Sequence, residues 1–469
     1  MSEEKSITKQ LKEELFMPAK TGISAVDSDE IRQADDFCED YKKFLDNSPV
    51  EREAVKHSAK LAEENGFVEF EQDKKYNPGD RVYYINRGKA IALAVIGKNG
   101  TKNGTRLSIA HIDSPRVDLK PNPLYEDTSL AFFKTHYYGG IKKYQWTVMP
   151  LALHGTVVKT DGTKVDFKLG ADDSEPCFCI TDLLPHLARE QATKPMSKAI
   201  EGENLNVLIG SRPIDTNDEE GDLVKLNVMK LLNEKYGITE SDFLSAELCF
   251  TPAQKSRDVG FDRGLIGGYG HDDKVCAYPA LMAAINTDIP ECTCITYLTD
   301  KEETGSDGNT GMQSDFLRYF IYDLAKSDGE EGYRVLSKSK CLSADVNAAF
   351  DPIYPSAYEP KNSSYINKGV IISKYTGHGG KYDTSDASAE YMGEIRSMLE
   401  KNNIIWQVGE LGKIDVGGGG TIAKYVANMN VDVVDLGVPV LSMHAPFELV
   451  SKLDVYEAYR AFHAFFNNL

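Results

Sequence analysis

The sequence predicts an α/β protein in which a mixed sheet flanked by helices is interrupted by an inserted β-rich segment. Three observations lead there. From about residue 250 onward, strand-like and helix-like runs alternate, the pattern of a sheet covered on both faces. Between residues 116 and 249 that alternation gives way to strand-rich sequence with hairpin signals. Four strand-like runs, spread along the chain, end in His, Asp or Glu, at the position where open α/β sheets keep their ligand sites. With 469 residues and 41% apolar content the chain is long for one domain. Residues 1–115 and 250–469 are expected to form one domain, and residues 116–249 a second one inserted into it.

Residues 28–65 read as two helices, SDEIRQADDFCEDYKKFLDN and SPVEREAVKHSAKLAEENG. Ser48-Pro49 opens the second, Glu51 and Glu53 suit its first turn, and Gly66 ends it. RVYYINRGKAIALAVIG follows as a strand pair broken near Arg87-Gly88, and TRLSIAH as the next strand. In the middle segment TVMPLALHGTVVKTDGTKVDFKLG has a hairpin signal at Asp161-Gly162. DLVKLNVMKLLNEKYG reads as a helix and ELCF as a strand that closes the segment. A helix-like apolar run covers 275–285. Four glycines at 417–420 precede another helical run. They lack the Gly-Lys-Ser/Thr ending of a phosphate-binding loop. That leaves a tight backbone approach to a bound substrate, with Gly418 as the candidate contact, or a plain turn.

The strand ends hold the chemistry. CTCITYLT runs into DKEETGS, so Glu302 and Glu303 stand together where a strand gives way to a turn. Paired there, one carboxylate can bind a metal while the other moves a proton. TRLSIA stops at His111, and Asp113 is spaced to hold the second ring nitrogen of a metal-binding His. KCLSADVNAA puts Asp345 just after a short apolar run, and VDVVDLGVPVLSMHAP ends at His444. GYGHDDKVCAY places Asp272 and Asp273 before a helix, where either could cap it or bridge two metals with its two oxygens. Each of these alone has an ordinary reading as a surface turn, a cap or a structural His. Together they form an oxygen and nitrogen ligand set that suits zinc, manganese or cobalt rather than copper or an iron–sulfur cluster. Asp272, Glu303 and Asp345 bring three negative charges, which two divalent ions and one hydroxide would neutralise. Two such ions roughly 3.5–4 Å apart would lower the pKa of a shared water. Glu302 would take that water's proton and pass it to a leaving amine.

These residues resemble the aspartyl aminopeptidase family of dinuclear zinc metallopeptidases, in its bacterial branch. The blocks that match are SIAHIDSPRVDLKPNP, MPLALHG, GYGHDDKVCAY, LTDKEETGS, LSADVNAAFDP, GHGGKYDTSDA and LSMHAPFELVSKLDVY, from about residue 105 to 460. The resemblance implies a zinc-peptidase catalytic domain with two metal ions, zinc first among them. His111 and Asp345 would hold one ion, Glu303 and His444 the other, and Asp272 would bridge them. Glu302 would be the general base and Asp113 would orient His111. His154, in MPLALHG, would reach a neighbouring subunit's site and stabilise the developing oxyanion. The inserted segment would mediate subunit pairing, with pairs assembling into a dodecamer. The implied activity is removal of one N-terminal residue, preferably Asp or Glu, from peptides. The glycines around His378 depart from the family's pocket block.

The whole chain narrows the alternatives. A net charge of −19 argues against nucleic acid or an anionic membrane as partner. An acidic chain that prefers acidic substrates needs a local cation, for which Lys381 is the first candidate and Lys374 the second; the plain reading of each is a solvated surface Lys. No run approaches the roughly 18 apolar residues of a membrane span. MSEEKSITKQLKEEL lacks a signal-peptide apolar core, so a cytoplasmic location is expected. Eight cysteines, including Cys177/Cys179 and Cys292/Cys294 but no Cys-x-x-Cys, read as buried, inert thiols. A phosphoesterase on similar ligands would want clustered cations, and the ligand blocks offer only Lys274, Lys301 and Arg116. A non-catalytic peptide-binding scaffold would have no need of Glu302.

Overall fold

The computed structural model describes residues 6–17, 22–216 and 221–468; residues 1–5, on which the expectation of no leader partly rests, lie outside them. Among the described residues nine strands form one mixed sheet. Their spatial order is Val68–Glu69, Arg81–Asn86, Ala90–Val95, Cys294–Thr299, Arg106–His111, Lys340–Ser343, Asp432–Gly437, Val370–Ser373 and Trp406–Val408. The four strands from Cys294–Thr299 to Asp432–Gly437 are mutually parallel. Antiparallel neighbours flank them on both sides. Because those four strands point the same way, their carboxyl ends open on one edge of the sheet, where His111, Glu302, Glu303, Asp345 and His444 end or follow a strand; Asp272 instead follows the strand Leu265–Gly268 of a separate three-stranded sheet.

Alternation along the strands divides the apolar side chains between two cores. Ile91, Leu93 and Val95 face one, while Ala90, Ala92 and Ala94 face the other. The first core is closed by the helices Ser28–Asp46, Glu51–Glu64, His271–Asn286, Ala389–Lys401 and Lys452–Asn468. The second is closed by Phe316–Ser327, Gly332–Leu336 and Ala423–Ala427. The expected sheet with helices on both faces is therefore present.

A separate antiparallel sheet interrupts this unit. Its strands lie in the order Lys164–Leu169, Leu151–Val158, Ala246–Pro252, Arg116–Asp127, Leu130–Tyr138 and Val207–Gly210. It has its own apolar core, which includes Phe133, Trp146, Phe167, Phe243 and Phe250. Its last strand runs to Pro252, past the expected boundary at 249.

The two predicted hairpins form, with Arg87 and Gly88 at φ +54° and +70° in the first turn. Three local details differ from expectation. The second helix starts at Glu51 with Val50 at its N-cap, because the Ser48 hydroxyl bonds His57 Nδ1 at 3.3 Å instead. Gly418–Gly419 pairs with Gly377–His378 as a short two-stranded ladder. A Cβ on Gly418 would lie 2.3 Å from the Gly377 carbonyl, so the close approach there is between two backbone segments of the chain itself. All eight cysteines are free thiols, but Cys177 is exposed and Cys179 half-buried, since their segment touches the sheet only through isolated bridges, Cys179 to Leu208 among them. No helix among the described residues is long and apolar enough to cross a membrane.

Candidate metal centre

His111 is the last residue of its strand and is 1% exposed. Its Nδ1–H points back at Asp113, 3.0 Å from the backbone carbonyl and 3.2 Å from Oδ1. That leaves Nε2 aimed at Asp272 Oδ1, 3.1 Å away, with Asp345 Oδ1 at 3.9 Å and Glu302 Oε2 at 4.0 Å. Across the site, His444 donates from Nδ1 to the Gly140 carbonyl at 2.8 Å. Its Nε2 thereby faces Asp272 Oδ2 at 3.2 Å and Glu303 Oε2 at 3.6 Å. The two oxygens of Asp272 thus look at two different imidazoles. His111, Glu302 and Asp345 offer ligand atoms within 4.8 Å of one another, as do His111, Asp272 and Glu303.

Local structure explains how these groups are presented. After Thr299 the chain enters a short 3-10 turn, Glu302–Thr304, preceded by Lys301 at φ +67°. Asp113 caps this turn, accepting from the Glu302 N–H at 3.1 Å and the Glu303 N–H at 3.2 Å. It accepts from the Tyr138 hydroxyl at 2.7 Å as well. One buried carboxylate therefore orients His111 and fixes both glutamates. Asp272 lies at the kinked start of the segment His271–Asn286, where its φ of −77° and ψ of +108° are not helical; the regular helix begins only after Asp273.

The electrostatics are those of crowded acids. Burial pushes Glu302 up to about 7, with Asp113 and Asp272 adding to the rise and the two imidazoles opposing it. Burial, with neighbouring carboxylates, holds Glu303 and Asp345 well above the ordinary carboxylate range. Asp272 is the exception: burial would raise it, but its bonds to His111 and His444 outweigh that and hold it low. For His444, burial would lower the pKa, yet Asp272 and Glu303 push it up to about 10. Carboxylates facing one another in a low-dielectric site call for cations between them. Glu303 Oε1 is buried with no hydrogen-bond partner in the protein, as suits an oxygen meant for a metal. Donor types, convergence and this orphaned oxygen all fit zinc.

The structure thus brings His111, Asp113, Asp272, Glu302, Glu303, Asp345 and His444 together. It does not bring the remaining candidates to them. His154 lies mid-strand, buried, with Nδ1 2.9 Å from Glu53. It lines a cleft of about 600 Å³ with Lys168, Lys255 and Tyr269. Lys374 and Lys381 both pair with Asp386, Lys381 at 2.8 Å, and Lys381 sits 3.8 Å over the Tyr375 ring. Among the described residues neither ammonium pairs with a carboxylate of the cluster.

Sequence reasoning missed two contributors from the inserted segment, Tyr138 and Gly140. Nothing in YYGGIKK announces them beyond the glycine pair itself. A Cβ at Gly140 would come within 3.2 Å of His444 Nδ1, so the absence of a side chain is what lets the carbonyl reach the ring. Asp273 adds an oxygen 3.4 Å from the His111 N–H, and burial holds its pKa well above normal.

Residues 44–466 match the Aminopeptidase I zinc metalloprotease (M18) family. A probable M18 family aminopeptidase 1 of Clostridium acetobutylicum is 48% identical over 97% of this chain and 99% of its own length. The crystal structure of an M18 family aminopeptidase from Thermotoga maritima superposes with a TM-score of 0.90, at 44% identity, covering 93% of this chain and 97% of that one. The crystal structure of aminopeptidase I from Clostridium acetobutylicum gives a TM-score of 0.86 at 48% identity, covering 92% and 95%. With identity this high over nearly the full length of each chain, the protein belongs to the M18 family and is a zinc metallo-aminopeptidase, a hydrolase of peptide bonds.

Proposed function

We propose that this aminopeptidase works with two divalent ions, zinc in the first place and manganese or cobalt as workable substitutes, and that it prefers an acidic first residue, Asp or Glu. His111 and Asp345 would hold one ion, Glu303 and His444 the other, with Asp272 between them. The observation that supports this most is the divergence of the two Asp272 oxygens, one toward each imidazole at 3.1 and 3.2 Å. When bound, the ions would supply Lewis acidity for the peptide carbonyl and for a nucleophilic water.

The rest of the work falls to side chains. Glu302 is not needed to complete either pair of metal ligands, is poised near neutrality by burial, and is pinned through its N–H to Asp113. It is suited to accept a proton from the attacking water and return it to the departing amine. Asp113 keeps the His111 tautomer fixed so that Nε2 remains free for a metal.

The acidic preference rests on family likeness and on the lysine pair on Asp386. We also propose a homo-oligomer, the dodecamer of the family, assembled through the inserted segment, and a cytoplasmic location. That segment leaves Leu183, Leu184, Leu187, Met196, Leu226 and Leu244 exposed. The cleft beside His154 would then receive a neighbouring copy.

The test is hydrolysis of aminoacyl-p-nitroanilides of Asp, Glu, Leu, Lys and Ala, after chelation and after restoring zinc, manganese or cobalt. Metal-restored cleavage of Asp or Glu is expected. Restored cleavage of Leu or Lys alone would keep the chemistry and discard the acidic preference. Phosphomonoester hydrolysis in place of amide cleavage would overturn the reading.

A further inference from the structure

Glu448 lies behind the cluster on the strand Glu448–Ser451, 1% exposed, opposite Gly268. Both its oxygens are taken up by backbone. Oε2 accepts the Asp272 N–H at 3.1 Å and Oε1 accepts the His444 N–H at 2.7 Å. With both oxygens engaged by the main chain, this carboxylate holds ligands instead of being one. It ties the residue that faces both imidazoles to one of those imidazoles, through two segments distant in sequence.

The two tied residues depend on it unequally. Asp272 has a second anchor. Its carbonyl accepts from the Ser114 hydroxyl at 2.7 Å, and Ser114 in turn accepts from the buried Lys274 ammonium at 2.6 Å. Among the described residues His444 has no such support for its main chain, and its φ of +64° lies in the left-handed region that non-glycine residues avoid. A conformation of that kind persists only where surrounding bonds enforce it. The Gly140 carbonyl secures the ring, and Glu448 secures the backbone.

We propose that Glu448 is a positioning residue that sets the separation of His444 from Asp272, and thereby the affinity of the ion that Asp272, Glu303 and His444 would share. The inference rests on the two-ion reading above. In the other pair, His111 is held by Asp113 and Asp345 follows the end of its own strand, so that pair should be far less sensitive.

The test compares wild type with Glu448→Gln. The amide keeps the shape but presents an NH₂ to one of the two N–H groups, so one bond is lost and two donors face each other. Metal-stripped proteins are titrated with zinc against a chromophoric chelator, and the cobalt forms are read by visible absorption. Wild type should take up two ions. E448Q should keep one site within about threefold and weaken the other by at least about tenfold, the usual effect of losing a ligand's supporting bond. Its cobalt spectrum should change for one ion only, and excess zinc should restore most of kcat. Glu448→Asp, too short to span both N–H groups, should behave alike.

A wild type that binds fewer than two ions would defeat the two-ion reading itself. Two ions in wild type with unchanged affinities in E448Q would overturn the role of Glu448 alone. Equal weakening of both sites, or an E448Q protein that fails to fold in excess zinc, would make Glu448 a general structural residue and overturn the proposal as well.

Discussion

Asp272 and Glu302 differ in what their oxygens already do, and that difference separates their mutants. Asp272 spends one oxygen on each imidazole, so Asp272→Asn replaces one of two acceptors with an NH₂. Elemental analysis of D272N should find at most one of the two proposed ions retained; a full complement would refute the bridge. Glu302 stands slightly apart, 4.0 Å from His111 Nε2, and its task is a proton. Glu302→Gln should keep its metal and lose at least about a hundredfold in kcat, the scale of general-base removal. Near-normal turnover would remove it from the mechanism. The proposed ligands were legible in the sequence because each is a His, Asp or Glu that ends or follows a strand-like run or precedes a helix. Tyr138, Gly140 and Glu448 were not legible. They act through a hydroxyl, a carbonyl and backbone N–H bonds to residues far along the chain, and no local pattern records such contacts.

Four parallel strands turn separate sequence signals into one site, since a shared direction delivers every carboxyl end to the same edge. Periodicity and turn signals carried the elements well: the helices Ser28–Asp46 and Glu51–Glu64 were readable from one-sided burial, and both hairpins from their turns. It failed where a side chain had a competing partner, as Ser48 does in His57. It failed again along the glycines at 417–420, whose ladder with Gly377–His378 is made of backbone alone. The lobe beside that ladder carries the specificity question. Lys374 and Lys381 converge on Asp386, whose carboxyl their bonds hold below the usual range. As built, the lysine charges are half spent on a partner. Lys381→Ala should slow cleavage of Asp and Glu substrates more than Leu. Asp386→Ala should do the reverse, raising kcat/KM for acidic over neutral first residues by up to about fivefold, the worth of an exposed ion pair. Equal changes across the substrate panel in both variants would place the specificity pocket elsewhere.

At the scale of the whole molecule, the second sheet owns a separate core yet lends Tyr138 and Gly140 to the site, so the two units are tied at the chemistry itself. The large sheet and the helix Lys452–Asn468 each bury an acid that is not one of the cluster, and these two make stability depend on pH. Burial pushes Asp435 up to about 7, opposed by its bond from the Thr421 hydroxyl at 2.9 Å. It pushes Asp454 up to about 8 despite two backbone N–H bonds, at 2.8 and 2.7 Å. In the unfolded chain both carboxyls lose their protons near pH 4. In the folded chain they keep them to about pH 7–8, so the folded state binds more protons across that window. Stability should therefore fall as pH rises from about 4 to 8, and be flat in these two groups beyond it. Asp435 is the cleaner probe, because Asn in its place can still accept from Thr421, whereas Asp454→Asn would forfeit one of two backbone bonds. Thermal unfolding of the zinc-loaded protein, followed between pH 5 and pH 9, should show wild type losing on the order of a few degrees relative to Asp435→Asn as pH rises. If the two unfolding temperatures instead run parallel across that range, Asp435 is ionised throughout, and its bond to Thr421 outweighs its burial.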